Sequence, residues 1–169
     1  IGFDRAQLED AIANTPDVVL ANDNSDGQAV ISGTAEAVQS VREEIKVKKA
    51  IPLAVSGAFH SPMMADAAAQ FAGVLAKVKF QDAQVPVISN VAPTDATTSA
   101  QILRDRLSVQ MTSPVRWREI CLYLAEAGYE RAIEVGAGKV LTGLLKRTAP
   151  NIQLVNISNL DQVNEFSNT

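Results

Sequence analysis

A chain of 169 residues that is 47% hydrophobic and 20% charged has the apolar content for one ordinary core or two small ones, which excludes a disordered polymer. A formal net charge of -4 and a pI near 5.0 argue against nucleic acid or an anionic membrane as the main partner, because both reward clustered lysine and arginine. Cys121 is the single cysteine, so no intrachain disulfide exists, and no apolar run approaches the roughly 18 residues that span a bilayer; a reducing, cytoplasmic setting is expected.

Asp4 can cap a helix in which Leu8, Ala11 and Ile12 recur at helical spacing, and Thr15-Pro16-Asp17 ends it. Strand patterns follow at 18–22 and 28–33, with a polar turn between them. Thr34 can cap a second helix carrying Val38, Val41 and Ile45 on one face, and residues 51–55 read as a further buried strand. Helix, strand, strand, helix, strand is the split β-α-β motif without its first strand, a ferredoxin-like subdomain over residues 1–54. Residues 1–4 supply at most the end of that first strand, so the chain is expected to be part of a larger protein.

From Ser61 onward the rhythm changes. Ser61 and Pro62 suit a helix cap and a first helical position, and Met64, Ala67, Ala68, Phe71, Val74, Leu75 and Val78 keep a helical period to about Lys79. A strand is predicted at 85–90, a surface loop at 92–100, and helices at 99–107 and 114–127, the latter behind a Ser113 cap. A strand at 131–135, a helix at 139–148, a strand at 152–157 and a short closing helix complete the pattern. Strands alternating with helices predict an α/β fold with a largely parallel sheet covered on both faces over residues 55–169.

His60 is the only histidine. It follows a predicted strand and precedes a capped helix, where ligands collect in open α/β sheets, and a helix N-terminus favours the uncharged ring a general base needs. One histidine and the distant Cys121 do not make a zinc set, so no metal is expected. A base serving a serine or cysteine fits better than a metal ligand. Yet no Gly-x-Ser-x-Gly elbow occurs, so the nucleophile is expected elsewhere, and a merely structural histidine in a turn stays open.

Gly136, Ala137 and Gly138 lack the spacing of a phosphate loop, and a tight strand-to-helix turn is the simpler reading, although the following helix N-terminus could face an anion. Asn22, Asn24 and Gln28 are ordinary turn residues whose amides could also line a cleft. Cys121 falls in phase with Trp117, Ile120 and Leu124, as packing residues do. Lys46, Lys48 and Lys49 suit a solvated helix end.

Four stretches, NDNSDGQAVISG, IPLAVSGAFHSPMM, VQMTSPVRW and EVGAGKVLTGL, stand in this order along the chain. In order and approximate spacing the chain resembles the malonyl-CoA:acyl-carrier-protein transacylases of fatty-acid synthesis and the related acyltransferase domains of polyketide synthases. The resemblance implies an α/β fold in two parts: a ferredoxin-like small subdomain with its first strand truncated, and the C-terminal part of a large α/β-hydrolase-like parallel-sheet subdomain. The family's Gly-His-Ser-x-Gly nucleophile elbow, and the arginine that grips the malonyl carboxylate, would both precede this chain.

The implied activity is transfer of malonyl from coenzyme A to the phosphopantetheine thiol of acyl carrier protein through a malonyl-serine ester, with no metal and no cofactor beyond the substrates. By resemblance His60 matches the catalytic histidine and Gln110 the residue whose backbone carbonyl holds its ring. Phe59 matches the position that favours malonyl over methylmalonyl, and Asn22, Asn24 and Gln28 match a cleft-lining loop. The implied partners are acyl carrier protein, malonyl-CoA and the N-terminal part of the same protein, without which this stretch is expected to be inert. An acyltransferase domain of a polyketide synthase and a non-catalytic ferredoxin-like binding module remain as alternatives.

Overall fold

Asp4 accepts a hydrogen bond from the Gln7 N–H at 3.0 Å and so closes the N-terminus of α1 (Arg5–Asn14), as its spacing predicts. The computed structural model describes residues 1–167, and the chain divides into two units, 1–117 and 118–169.

In the first unit β1 (Val18–Ser25) and β2 (Gln28–Gly33) form an antiparallel hairpin, with Ser25 opposite Gln28. The chain reverses through Asp26 and Gly27 alone, a pair suited to a tight hairpin turn, so the ladder runs further than a turn filling the whole gap between strands at 18–22 and 28–33 would allow. Asn22 and Asn24 are therefore strand residues. Register shifts between Leu20 and Asn22 and between Asp23 and Ser25 place bulges at Ala21 and Asn24. Thr34 accepts from the Ala37 N–H at 3.2 Å and starts α2 (Ala35–Glu44). Leu8 and Ala11 of α1, Val18 of β1, and Ala37 and Val41 of α2 form the buried core of this layer.

Residues 1–3 lie antiparallel to 47–49: Phe3 bridges Val47, and the Lys48 and Lys49 N–H groups donate to the carbonyls of Gly2 and Ile1 at 3.0 and 3.1 Å. The order is thus strand stub, helix, strand, strand, helix, strand stub, the split β-α-β plan with its outer pair reduced to a short ladder. The closing strand falls at 47–49 and not at 51–55 as expected. In 51–55, Pro52 has no N–H to donate and the Val55 N–H is spent locally on the Leu53 carbonyl at 2.9 Å, so Ile51, Leu53 and Val55 stay exposed.

Ser61 does cap, but what it caps is a 3-10 turn (Pro62–Met64) that leads into α3 (Ala65–Leu75). Past Leu75 the bonds from Lys77 to Val74 and Val78 to Leu75 span three residues, which tightens the chain and ends the α-helix before Lys79. The expected loop at 92–100 is largely a strand: β3 (Val87–Ser89) pairs antiparallel with β4 (Ala92–Thr97). Its polar side chains are those of an exposed hairpin strand, tied by Arg106, which donates to the Asp95 carbonyl at 2.6 Å and also to its carboxylate. Ser99 then caps α4 (Ala100–Gln110). Ser113 and Pro114 start no helix, because Val115 is drawn into a parallel pairing with β1, and α5 (Trp117–Glu126) begins only afterwards.

The second unit is a β-α-β crossover: β5 (Arg131–Val135), α6 (Val140–Thr148) and β6 (Gln153–Ile157), the strands parallel with Arg131 opposite Gln153 and Val135 opposite Ile157. A short α7 (Leu160–Ser167) follows. This is the parallel pairing that the alternation of strands and helices predicts. Gly136 and Gly138 take φ of 135° and 91°, which only glycine adopts readily, and this makes the tight strand-to-helix turn. Glu134 at the end of β5 reaches over that turn. Its carboxylate accepts from the Thr142 hydroxyl at 2.5 Å and from the Thr142 and Leu141 N–H groups at 2.8 and 3.1 Å. The amides that could have faced an anion at the α6 N-terminus are thus bonded to the protein's own carboxylate.

Cys121 of α5 is fully buried, and burial pushes its thiol up to about 11, as befits packing rather than nucleophilic chemistry. Among the described residues no helix is long and apolar enough to cross a membrane, and no three His, Cys, Asp or Glu side chains are grouped to hold a metal ion.

A Cβ at Gly33 would press on the Asp17 carbonyl oxygen and lie 2.7 Å from Val18 Cα, backbone atoms that the Thr34 N–H bond to Asp17 helps to fix. Gly33→Ala is expected to destabilise the chain by about 1–3 kcal/mol, read as a lower denaturant midpoint at unchanged slope. The Thr142 hydroxyl, followed by the Thr142 amide, holds the Glu134 carboxyl below its ordinary range against the opposing cost of desolvation. Because the folded form binds the proton less tightly than the unfolded form, this contribution is complete above the ordinary carboxylate range and fades as pH falls through the lowered value. Glu134→Gln should flatten the acid limb of a melting-temperature profile, from the ordinary carboxylate range downward; an unchanged limb would show that the cap carries no stability.

Candidate active site

Ser61 is buried, and its hydroxyl donates to the Ala58 carbonyl at 2.6 Å while accepting from the Met63 N–H at 3.2 Å. These bonds tie residues 58–61 into a turn in which His60 adopts φ of 59°, a left-handed conformation that costs a non-glycine residue on the order of 1 kcal/mol. Its half-buried imidazole directs Nδ1 at two main-chain carbonyls, 3.1 Å from Gln110 O and 3.2 Å from Ser113 O. Carbonyl oxygens only accept, so Nδ1 carries the proton and Nε2 is left with its lone pair. The tautomer is set by the backbone.

Gln110 is the last residue of α4, and its carbonyl is one of those a helix leaves without an intrahelical partner. The ring nitrogen therefore faces the negative end of the α4 dipole. A helix N-terminus does not dominate the ring's surroundings, contrary to the sequence expectation: His60 precedes only a 3-10 turn, and its hydrogen bonds go to the C-terminal end of a different helix. The two acceptors are joined to each other, since the Ser113 N–H donates to Gln110 O at 3.3 Å and Gln110 Nε2 donates to Ser113 O at 3.2 Å.

Just downstream, Val115 accepts from the Asp23 N–H and donates to the Ala21 carbonyl, both at 2.8 Å. The strand that carries Asn22 and Asn24 is thereby bonded to the segment that cradles His60. Along β1, Asp23 and Ser25 are buried and Asn22 and Asn24 half-buried, the alternation of a pleated strand. Asp23 is anchored from below by Arg5, at 2.8 Å, and that guanidinium also donates to the Ser25 carbonyl at 3.4 Å. Gln28 lies across the hairpin from Ser25, further from the cradle than Asn22. Phe59, next to the histidine, is 43% exposed and presents its ring at the surface of the turn.

Of the residues singled out in the sequence, His60 and Gln110 meet directly, Asn22 reaches the same segment through Val115, and Asn24 and Gln28 extend along the same hairpin. The Ser113 carbonyl is an acceptor that sequence reasoning misses. Its signal is the Gln110-x-x-Ser113 spacing at the end of a predicted helix, where backbone carbonyls are left over, but Ser113 also fits a helix cap and reads first as one.

Residues 2–163 match the family described as the acyl transferase domain. The malonyl CoA-acyl carrier protein transacylase of Synechocystis is 49% identical over 164 residues, covering 97% of this chain and 56% of that protein. The crystal structure of the Synechocystis malonyl-CoA:ACP transacylase matches with a TM-score of 0.92 at 48% identity, over 98% of this chain and 56% of that one. A malonyl-transacylase solved in complex with its type II polyketide synthase acyl-carrier protein matches with a TM-score of 0.86 at 33% identity, over 100% of this chain and 57% of that one. The chain spans about half the length of the curated relatives it matches. On the family match across nearly its whole length, the chain belongs to the acyl transferase domain family.

Proposed function

We propose that the protein carrying this chain moves a malonyl group from coenzyme A to the phosphopantetheine thiol of an acyl carrier protein in fatty-acid biosynthesis, through a malonyl-serine ester. The observation that carries this reading is the His60 ring, with Nδ1–H committed to two carbonyls and Nε2 left as a base. The serine is supplied from outside these 169 residues, by the N-terminal part of the same protein.

In the first half-reaction Nε2 takes the serine proton as the oxygen attacks the thioester carbonyl, and the imidazolium returns that proton to the departing coenzyme A thiolate. In the second, Nε2 takes the proton of the carrier's thiol, the thiolate attacks the ester, and the serine oxygen leaves with the proton from the ring. No metal and no cofactor enters beyond the two substrates. Gln110 acts through its backbone carbonyl, which orients the ring and stabilises its charge, the part an aspartate plays in the Ser-His-Asp triad.

Phe59 fills space beside the histidine that an α-methyl group would need, and Asn22, Asn24 and Gln28 line the cleft from the ferredoxin-like subdomain, residues 1–54. Residues 55–169 belong to the large acyltransferase subdomain. The setting is cytoplasmic, and the partner is an acyl carrier protein. A carrier from a polyketide synthase is a second reading, supported by the related malonyl-transacylase that was solved with such a partner.

In the complete protein, His60→Ala should lower malonyl transfer by at least ~10²-fold with the fold retained. Undiminished transfer would favour a non-catalytic binding module instead. Phe59→Ala should narrow the preference for malonyl-CoA over methylmalonyl-CoA by roughly tenfold, as kcat/KM ratios; an unmoved ratio would place selectivity at another residue.

A further inference from the structure

The cradle around His60 has more in it than one backbone acceptor. Gln110 O and Ser113 O stand at nearly equal distances from Nδ1, 3.1 and 3.2 Å, so the N–H points between them and the ring is fixed by two bonds that diverge. One acceptor alone would leave the imidazole free to swing about that bond. The second acceptor lies beyond the end of α4, where no helical ladder holds it. Two contacts hold it in place: the Val115 pairing with β1 just downstream, and the Gln110 side chain, whose Nε2–H reaches the Ser113 carbonyl at 3.2 Å. With the Ser113 N–H returning a bond to Gln110 O at 3.3 Å, the two residues are tied in both directions, and each tie brings one carbonyl toward the ring.

We propose that the Gln110 side chain is a positioning residue for His60, acting through the Ser113 carbonyl to hold in place the backbone cradle that sets the Nδ1–H tautomer. This duty is separate from that of the Gln110 backbone carbonyl, and it rests on the reading of His60 as the base. The chemistry demands a donor at this reach, since Ser113 O can only accept. Methionine has similar length and no donor, and glutamate would set a carboxylate against the carbonyl oxygen.

Ring-¹⁵N labelling of the complete protein tests this, with the His60 nitrogens assigned by their loss in His60→Ala. With the ring neutral, the unsubstituted protein should show a protonated Nδ1 and an unprotonated Nε2 at His60; the opposite tautomer overturns the proposal without any substitution. Gln110→Met keeps the backbone carbonyl and should draw the two nitrogen shifts toward each other as tautomers mix, and Gln110→Glu should do so further. In the complete protein Gln110→Met should lower kcat roughly tenfold while KM for malonyl-CoA stays within about twofold.

Unchanged nitrogen shifts and unchanged kcat in Gln110→Met would overturn the proposal. The two readings fail separately. Loss of transfer in His60→Ala beside an unresponsive Gln110→Met leaves the acyl-transfer reading and removes the side-chain role. Full transfer in His60→Ala beside a responsive nitrogen pattern leaves the cradle and removes His60 as the base of the transfer.

Discussion

The two backbone bonds of Val115, to Ala21 and Asp23 at 2.8 Å each, are the constraint on which the site depends. They give β1 a partner on the edge that β2 leaves open, and they fix the height at which the segment from the end of α4 crosses the hairpin. Ser113, and through it the His60 ring, takes its place from that crossing. Because both bonds are main-chain, they tolerate side-chain change and answer only to the register of β1. That register is set by the bulges at Ala21 and Asn24 and by Arg5, which holds Asp23 between them. A partly buried ion pair of this kind contributes little net stability but penalises any slip that would leave the buried carboxylate without its partner. Its value here is positional.

Using helix-end carbonyls in place of a carboxylate to hold a histidine has consequences of its own. A carbonyl does not titrate, so the acceptors keep their character at every pH and the tautomer stays where the fold puts it. A single neutral oxygen exerts a weaker field than a carboxylate does. Two oxygens facing one N–H, at the end where the α4 peptide dipoles leave partial negative charge, recover part of that field. The arrangement also serves the helix. The carbonyl of its last residue accepts from the Ser113 N–H at 3.3 Å, and the imidazole adds a second donor to it.

The sequence is most legible where a side chain acts on its own neighbours. Asp4 and Thr34 cap the helices their spacing predicts, because a cap is a bond across three residues and needs nothing distant. It misleads where backbone groups choose between partners far apart. The stretch 51–55 has the composition of a buried strand but spends its amide locally, while the lysine-rich 47–49 pairs with the first residues of the chain. Residues 92–97 look like a loop because an exposed hairpin strand is free to be polar. Asp26-Gly27 does carry a hairpin signal, and counting the ladder outward from that pair places Asn22 and Asn24 on β1. The family resemblance picks out His60 and Gln110 together. The second acceptor depends on where Val115 docks, which no local pattern encodes.

His60 shows what the site costs the fold. Two non-glycine residues have a positive φ among those described: Asp17, a type that tolerates it in a turn, and His60. At His60 a glycine would relieve the strain and remove the ring, so local preference and chemistry ask for different residues. The chain settles this by holding the residue from both sides. The buried Ser61 hydroxyl closes the backbone on Ala58, and the two carbonyls close on Nδ1. The strain at such a residue has to be offset by contacts that fail together if it relaxes. In the observed conformation, which the backbone disfavours, Nδ1 is satisfied by the Gln110 and Ser113 carbonyls. Strain at this position therefore narrows the ring to one orientation, which is what the base proposed above requires.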